Sequence, residues 1–530
     1  MSKQVVELLT NLSLEQKVGQ LLILGWQGES HEENITVSEH ARILVEDFQV
    51  GGIILLGRNV GTPAETTRTM NRLQEMSRIP LFIVADQEGG MVCRFKDPYV
   101  VFPSNMAIGA TRTPEYAYKA AFATARQLRA VGVNFDFAPC VDVNNNPLNP
   151  IIGTRSYADN PEMVADYARQ AIKGFHDGGV ATSAKHFPGH GDTSVDSHLA
   201  LPEIDFPRQR IESTELPPFK AAIQAGVATI MTTHIMFPQL DPELPATISP
   251  TIIGGLLRQD IGYEGVIVTD CLEMEGVNEK WGTPSAAVMA FKAGVDCLLI
   301  CHTLERQIKA RELLLDAISK GDIPMDRLDA SVRRILLLKE RFGVLGGVAP
   351  ADPELAMAEV TSQDKKDLSL EIARKAVTIA KNEGGLLPLK PADGKRVLLV
   401  SMHSALPRLL DAFEAVYPNV SATGPVEASD EVKIPSDTAA IVVATCPSEP
   451  WTEGMDVARQ ARMVNRLLQG DIPVVALALR EPYDIKDYPG ASAYVCTYGY
   501  RNELLQAAAE VIMGKIPATG QLPVSGVNLS

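Results

Sequence analysis

Lys185 to His198 reads KHFPGHGDTSVDSH, a stretch with three histidines, two aspartates and a lysine, punctuated by Pro188, Gly189 and Gly191. Divalent metals such as zinc take histidine and carboxylate ligands. His186 and His190 stand four apart, with Asp192, Asp196 and His198 close by. An i, i+4 pair shares a face only on a helix, however, and proline with two glycines disfavours one here. A metal-dependent barrel hydrolase would also carry His-x-His at the end of its first strand, where this chain has Gly25 and Trp26. A turn-rich structural loop accounts for Pro188, Gly189, Gly191 and Asp192. It does not account for a loop that leaves directly from a strand ending in Lys185 and His186. Acid–base catalysis does. Asp196 and His198 form an Asp-x-His pair whose side chains point the same way in an extended loop, so the carboxylate can orient the imidazole and stabilise imidazolium. Such an acid needs a nucleophile or an activated water, and Asp270, closing the apolar run GVIVTD, is the candidate nucleophile.

Residues so far apart must be gathered by elements between them. Short apolar runs recur at 21–26, 51–56, 81–86, 133–139, 180–186, 227–234, 265–270 and 294–300. They are bounded by Gly or Pro and suit strands buried on both faces. Amphipathic stretches such as TPEYAYKAAFATARQLRAVG and PEMVADYARQAIKGFHDGG separate them and close at glycine, a common helix stop. The alternation predicts a (β/α)8 barrel. Several runs end in a polar residue: Asp86, Lys185–His186, His234 and Asp270. Polar residues also mark where any strand meets solvent, but a barrel brings its C-terminal strand ends to one mouth. Four of them beside the histidine motif point to a site there.

The barrel is expected over 1–345, followed by a linker at 346–363 that contains GGVAPADPE. A second alternating series has apolar runs at 396–402, 439–446, 472–480 and 492–498. It predicts an open parallel sheet with helices on both faces, an αβα sandwich over 364–530. No G-x-G-x-x-G follows any of its strands, so nothing there argues for a nucleotide.

The formal net charge of −16 sets the chain against nucleic-acid phosphate and anionic membrane surfaces as main partners. The first residues lack a signal-peptide pattern, and no run approaches the length of a membrane span. The seven cysteines form no C-x-x-C pair and sit in apolar runs such as VDCLLIC and AYVCTY. They read as reduced, buried thiols in a cytoplasmic protein.

KHFPGHGDTSVDSHLALP resembles the signature of glycoside hydrolase family 3, in its β-N-acetylglucosaminidase branch. Supporting segments run along nearly the whole chain: LSLEQKVGQLL, ADQEGGMVCRF, NPIIGTRSY, MTTHIMFPQLDPELPATIS, GYEGVIVTDCLEMEGV and, leading into the second domain, RKAVTIAKNEGGLLPL. The resemblance implies a two-domain retaining exo-glycosidase with Asp270 as nucleophile and with His198 and Asp196 as acid–base dyad on a mobile loop. Asp86, Arg94, Arg155, Lys185 and His186 would bind the terminal N-acetylglucosamine. No metal or organic cofactor is implied, and the expected partner is a small carbohydrate, either a chitin oligosaccharide such as chitobiose or a muropeptide. A homodimer is a further expectation. Met91 and Cys271 depart from the family pattern, in which Arg and a second Asp are common at those places. A phosphorylase on the same fold, a non-catalytic sugar-binding protein and a metal-dependent barrel hydrolase are the competing readings.

Overall fold

The computed structural model describes residues 2–347, 349–424, 431–447, 455–527 and 529. Eight strands form one sheet: β1 (Leu22–Leu24), β2 (Gly52–Leu55), β3 (Phe82–Ala85), β4 (Phe135–Asp136), β5 (Ala181–Phe187), β6 (Thr229–Thr232), β7 (Val266–Val268) and β8 (Leu298–Ile300). Each pairs in parallel with the next, and β1 pairs with β8. A single parallel bridge between Val268 and Cys297 closes the ring between β7 and β8. Every residue of β1, β2, β3 and β7 is buried, as strands with side chains on one face inside the barrel and helices over the other require. All eight predicted runs contain a barrel strand.

The intervening helices follow from local chemistry. Asn160 caps Pro161–Asp177, accepting from the Met163 N–H, and Pro161 occupies a first-turn position where a missing N–H costs nothing. Val164, Tyr167, Ala168, Ala171, Ile172 and Phe175 make its buried face, and Gly178 ends it. At Gly174 the helix lies so close to the Tyr118 carbonyl that a Cβ would collide with it, which lets it pack against Glu115–Ala130.

A second, six-stranded sheet holds β9 (Thr378–Asn382), β10 (Arg396–Ser401), β11 (Val420–Thr423), β12 (Thr438–Thr445), β13 (Val474–Ala478) and β14 (Ala493–Cys496). Its order is β9-β14-β13-β12-β10-β11. The sheet is mixed rather than purely parallel, because β9 runs antiparallel to β14. β9 and β11 are the strands that sequence reading does not find. Both lie at edges and are largely half-buried, so neither shows the continuous apolar run of a central strand. The barrel and this sheet share packing: helix Asn105–Ala110, in the segment after β3, buries Met106, Ala107 and Ala110 in the second core.

Candidate active site

A cavity of about 640 Å³ opens beyond the C-terminal ends of the barrel strands. Asp86, Arg94, Arg155, Lys185, His186, His198 and Asp270 all line it. Seven of the eight sequence-predicted residues therefore share one wall-to-wall space, and the eighth, Asp196, holds His198.

One wall is an ion network. Lys185 donates to Asp86 at 2.9 Å and to Glu88 at 2.6 Å. Arg94 donates to the other Asp86 oxygen at 3.0 Å. Arg155 grips Glu88 bidentately, at 2.9 Å through Nε and 2.8 Å through Nη2. The side chains of Lys185 and Glu88 are only 2% and 1% exposed, so water cannot screen them. Burial works against each charge, but the Arg155 and Lys185 cations hold Glu88 down to about 2. The Lys185 and Arg94 cations likewise hold Asp86 well below the carboxylate range. Beneath them Asp136 behaves oppositely. Burial, with Asp86 and Glu88 as like charges nearby, pushes it up to about 8, so it is protonated at neutral pH. Its Oδ1 accepts from the Gln87 N–H at 2.9 Å. Arg94 keeps a buried Nε without a partner among the described residues, a donor left over at the cavity.

Glu88 is absent from the sequence-derived set, although it stands two residues after Asp86 in the same quoted motif. It lies in a hairpin of Gln87–Gly89 and Val92–Cys93, whose turn is made by Gly89 and Gly90 at φ 89° and 55°, values glycine adopts without strain. Asp142 is also missing from that set. It accepts from the His186 Nδ1 at 2.7 Å and from the His190 N–H at 2.7 Å. Arg155 Nη2 meets His186 Nε2 at 3.2 Å. Guanidinium only donates, so Nε2 accepts and the ring proton sits on Nδ1, toward Asp142.

The histidine motif is not helical after β5, as its proline and glycines require. Gly191 lies where a Cβ would strike the Val143 carbonyl. His190 is buried, and burial beside His186 pushes it down to about 4, so it is neutral. It contacts Ser197 Oγ at 2.9 Å and Thr193 Oγ1 at 3.1 Å, tying the loop to itself. Asp196 and His198 meet as expected, with Nδ1 2.8 Å from Oδ1, but not through extended backbone. The same Oδ1 also accepts the His198 N–H at 2.8 Å, and the chain turns here, with Leu199 and Ala200 donating to the Asp196 carbonyl. An aspartate side chain bonding the backbone two residues on makes such a turn. Side-chain alternation is therefore not what joins the pair.

Asp270 follows β7, and its Oδ1 accepts from the Cys271 N–H at 2.7 Å. Burial would raise its pKa, but His186, His234, His198 and that N–H outweigh it and hold the carboxyl below its ordinary value. His234, one of the polar strand ends, does not line the cavity. It braces it from behind, with Nε2 2.9 Å from the Cys271 carbonyl and Nδ1 2.8 Å from Thr247 Oγ1.

The second sheet reaches the site. Tyr500 lines the cavity, and Arg501 donates to the Gly90 carbonyl at 3.0 and 2.7 Å, pinning the hairpin that carries Glu88. Glu481 accepts from the Thr154 N–H at 3.3 Å and from Arg480 at 2.7 Å, next to Arg155. No sequence motif signals these contacts, because they exist only once two folded units meet.

Residues 13–338 match the model of the glycosyl hydrolase family 3 N terminal domain. The beta-hexosaminidase A of Pseudoalteromonas piscicida is 33% identical, with 97% of each chain covered. A Cellulomonas fimi protein named beta-N-acetylglucosaminidase/beta-glucosidase is 27% identical over 97% of this chain and 94% of its own. The structure of a family 3 beta-N-acetylglucosaminidase from Paenibacillus sp. str. FPU-7 superposes with a TM-score of 0.89 at 36% identity, over 97% of this chain and 99% of that one.

The network generates a stability prediction. Glu88→Gln leaves Arg155 buried without its carboxylate and destabilises the protein by on the order of 3–5 kcal/mol at neutral pH. Because Glu88 has a depressed folded-state pKa, its contribution is complete above the unfolded value near 4.5 and is lost as pH falls toward about 2. Denaturant unfolding should show the gap between native protein and variant narrowing over that interval; a constant gap refutes the assignment.

Proposed function

This chain belongs to glycosyl hydrolase family 3, and from that membership we propose that it is a retaining, exo-acting β-N-acetylglucosaminidase. The observation that carries this reading is the meeting, in one cavity, of an Asp270 held ionised and a histidine oriented by its own aspartate. Asp270 attacks the anomeric carbon while His198, protonated, delivers its proton to the leaving oxygen. In the second step neutral His198 takes a proton from water, which displaces Asp270 from the sugar. Asp196 fixes the imidazole by accepting from Nδ1, so Nε2 is the nitrogen that exchanges protons with substrate. His190, through Ser197, holds the turn from which the pair projects.

Asp86, Arg94, Arg155, Lys185 and His186 form the terminal sugar subsite. With Glu88 they offer charged donors and acceptors whose positions are set by one another, the arrangement needed to grip hydroxyl and acetamido groups without reorganising. The substrate is a carbohydrate ending in N-acetylglucosamine, either a chitin oligosaccharide or a muropeptide. The second sheet shapes this subsite through Tyr500 and Arg501 and does not supply the acid–base group; its Glu481, beside Arg155's loop, is engaged with Thr154 and Arg480. Among the described residues no helix is long and apolar enough to cross a membrane. All seven cysteines are free and buried, which supports the cytoplasm as the compartment.

A 5-fluoro N-acetylglucosaminide should trap the intermediate, and mass spectrometry should find the label on the peptide containing Asp270; a label elsewhere refutes the nucleophile. Assays on chitobiose and on muropeptides, with and without phosphate, identify the substrate and distinguish hydrolysis from phosphorolysis. For His198→Ala, turnover of the natural disaccharide should fall on the order of 10²–10⁴-fold. A dinitrophenyl glycoside should lose far less, since its leaving group departs with little protonation. Equal losses on both would mean that His198 is not the acid.

A further inference from the structure

Two cysteines of the cavity stand outside this chemistry. Cys271 follows Asp270 directly and Cys301 follows β8; both line the cavity. Their sulfurs and a ring nitrogen of His302 lie within 4.8 Å of one another. Such a trio has the composition of a soft-metal site, but His302 is turned the wrong way for one. Arg58 Nη1 lies 3.0 Å from His302 Nδ1. Guanidinium can only donate, so Nδ1 accepts and the ring proton sits on Nε2. A metal-bound histidine needs the opposite tautomer, with its second nitrogen donating outward. The ring proton therefore sits on Nε2, and a ring nitrogen of His302 lies within 4.8 Å of both sulfurs. Proximity to Cys301, with His302 also beside it, holds the Cys271 thiol down to about 6 against the opposing effect of burial. The same pairing, together with burial, pushes Cys301 up.

We propose that Cys271 and Cys301 form a peroxide-sensitive dithiol that switches the active site off when it closes to a disulfide. In the first step the Cys271 thiolate attacks a hydroperoxide: an S–O bond forms, the O–O bond breaks, the sulfur is oxidised by two electrons to sulfenic acid, and the peroxide leaves as hydroxide, or alkoxide from an alkyl hydroperoxide. In the second, Cys301 sulfur attacks Cys271 sulfur: the S–S bond forms, the S–O bond breaks, and the thiol proton leaves with the hydroxyl as water. Closing the gap pulls Cys271 toward Cys301. Its N–H is the donor to Asp270 Oδ1 at 2.7 Å, and its carbonyl is held by His234 at 2.9 Å, so the carboxylate cannot keep its place when Cys271 moves. The inactivation half of the proposal rests on Asp270 being the nucleophile. The disulfide half does not, and the experiment reads the two separately.

The full-length protein is titrated with hydrogen peroxide, then digested without reduction for mass spectrometry, while activity is followed on a nitrophenyl N-acetylglucosaminide. The expected result is a linked peptide pair containing Cys271 and Cys301, a loss of activity proportional to the linked fraction, and recovery of both on adding dithiothreitol. In Cys301→Ser the second step is blocked, so dimedone should capture sulfenic acid on Cys271. Activity loss with no linked peptide, a linked peptide with undiminished activity, or no dimedone adduct in the variant would each overturn the proposal. So would equimolar zinc chloride alone shielding both thiols from alkylation, which would make the cluster a metal site.

Discussion

Charges buried at the mouth of the barrel can stay ionised only by neutralising one another. Lys185 sits between Asp86 and Glu88, Arg94 completes Asp86, and Arg155 completes Glu88. Removing Glu88 strands Arg155, whose carboxylate partner it is, in a medium where desolvation is costly. This mutual dependence fixes the ends of β3 and β5, the hairpin after β3 and the arginine loop at 149–157 relative to each other. It also sets the local balance. Asp136 lies close by, where burial above all, with Asp86 and Glu88 as like charges, pushes its carboxyl up to about 8.

The histidines around the cavity extend the same logic from charge to proton position. His186 is held between Asp142 and Arg155, His190 between Thr193 and Ser197, and His302 meets Arg58. In the first and last of these a guanidinium removes any choice of tautomer. His198 differs: its Nδ1 is committed to Asp196, its side chain is 38% exposed, and it lines the cavity. Of the motif's three histidines, two are thus built into the wall, and the third is the one proposed to move a proton. Their identical residue type conceals that division of labour, which follows from what surrounds each ring.

The second sheet enters this scheme by contact. Its core takes in a helix of the barrel segment after β3, and Arg501 fastens the hairpin carrying Glu88. The placement of the cavity wall at Glu88 therefore depends on packing between the two units as well as on the barrel's own strands. The dependence explains how a sheet without a nucleotide fingerprint can bear on the chemistry at the barrel mouth.

Sequence alone determined the parts governed by local rules. Short runs rich in apolar residues, with glycine stops between them, located all eight barrel strands, because burial on two faces favours apolar side chains. Most strand-end polar residues, Asp86, Lys185, His186 and Asp270, located the mouth, and the DSH stretch put Asp196 beside His198, though through a turn rather than by the alternation of an extended chain. The tertiary structure decided whatever depends on a partner remote in the chain. Glu88 acquires its meaning from Arg155, His186 from Asp142, and Cys271 from Cys301 and His302. The edge strands β9 and β11 escaped for a related reason: one open side lets polar residues in, and their pairing is set by the neighbouring strand. Residue type states what a side chain can do. In a buried site the neighbours decide which of those things it does, because they set its charge and the position of its proton.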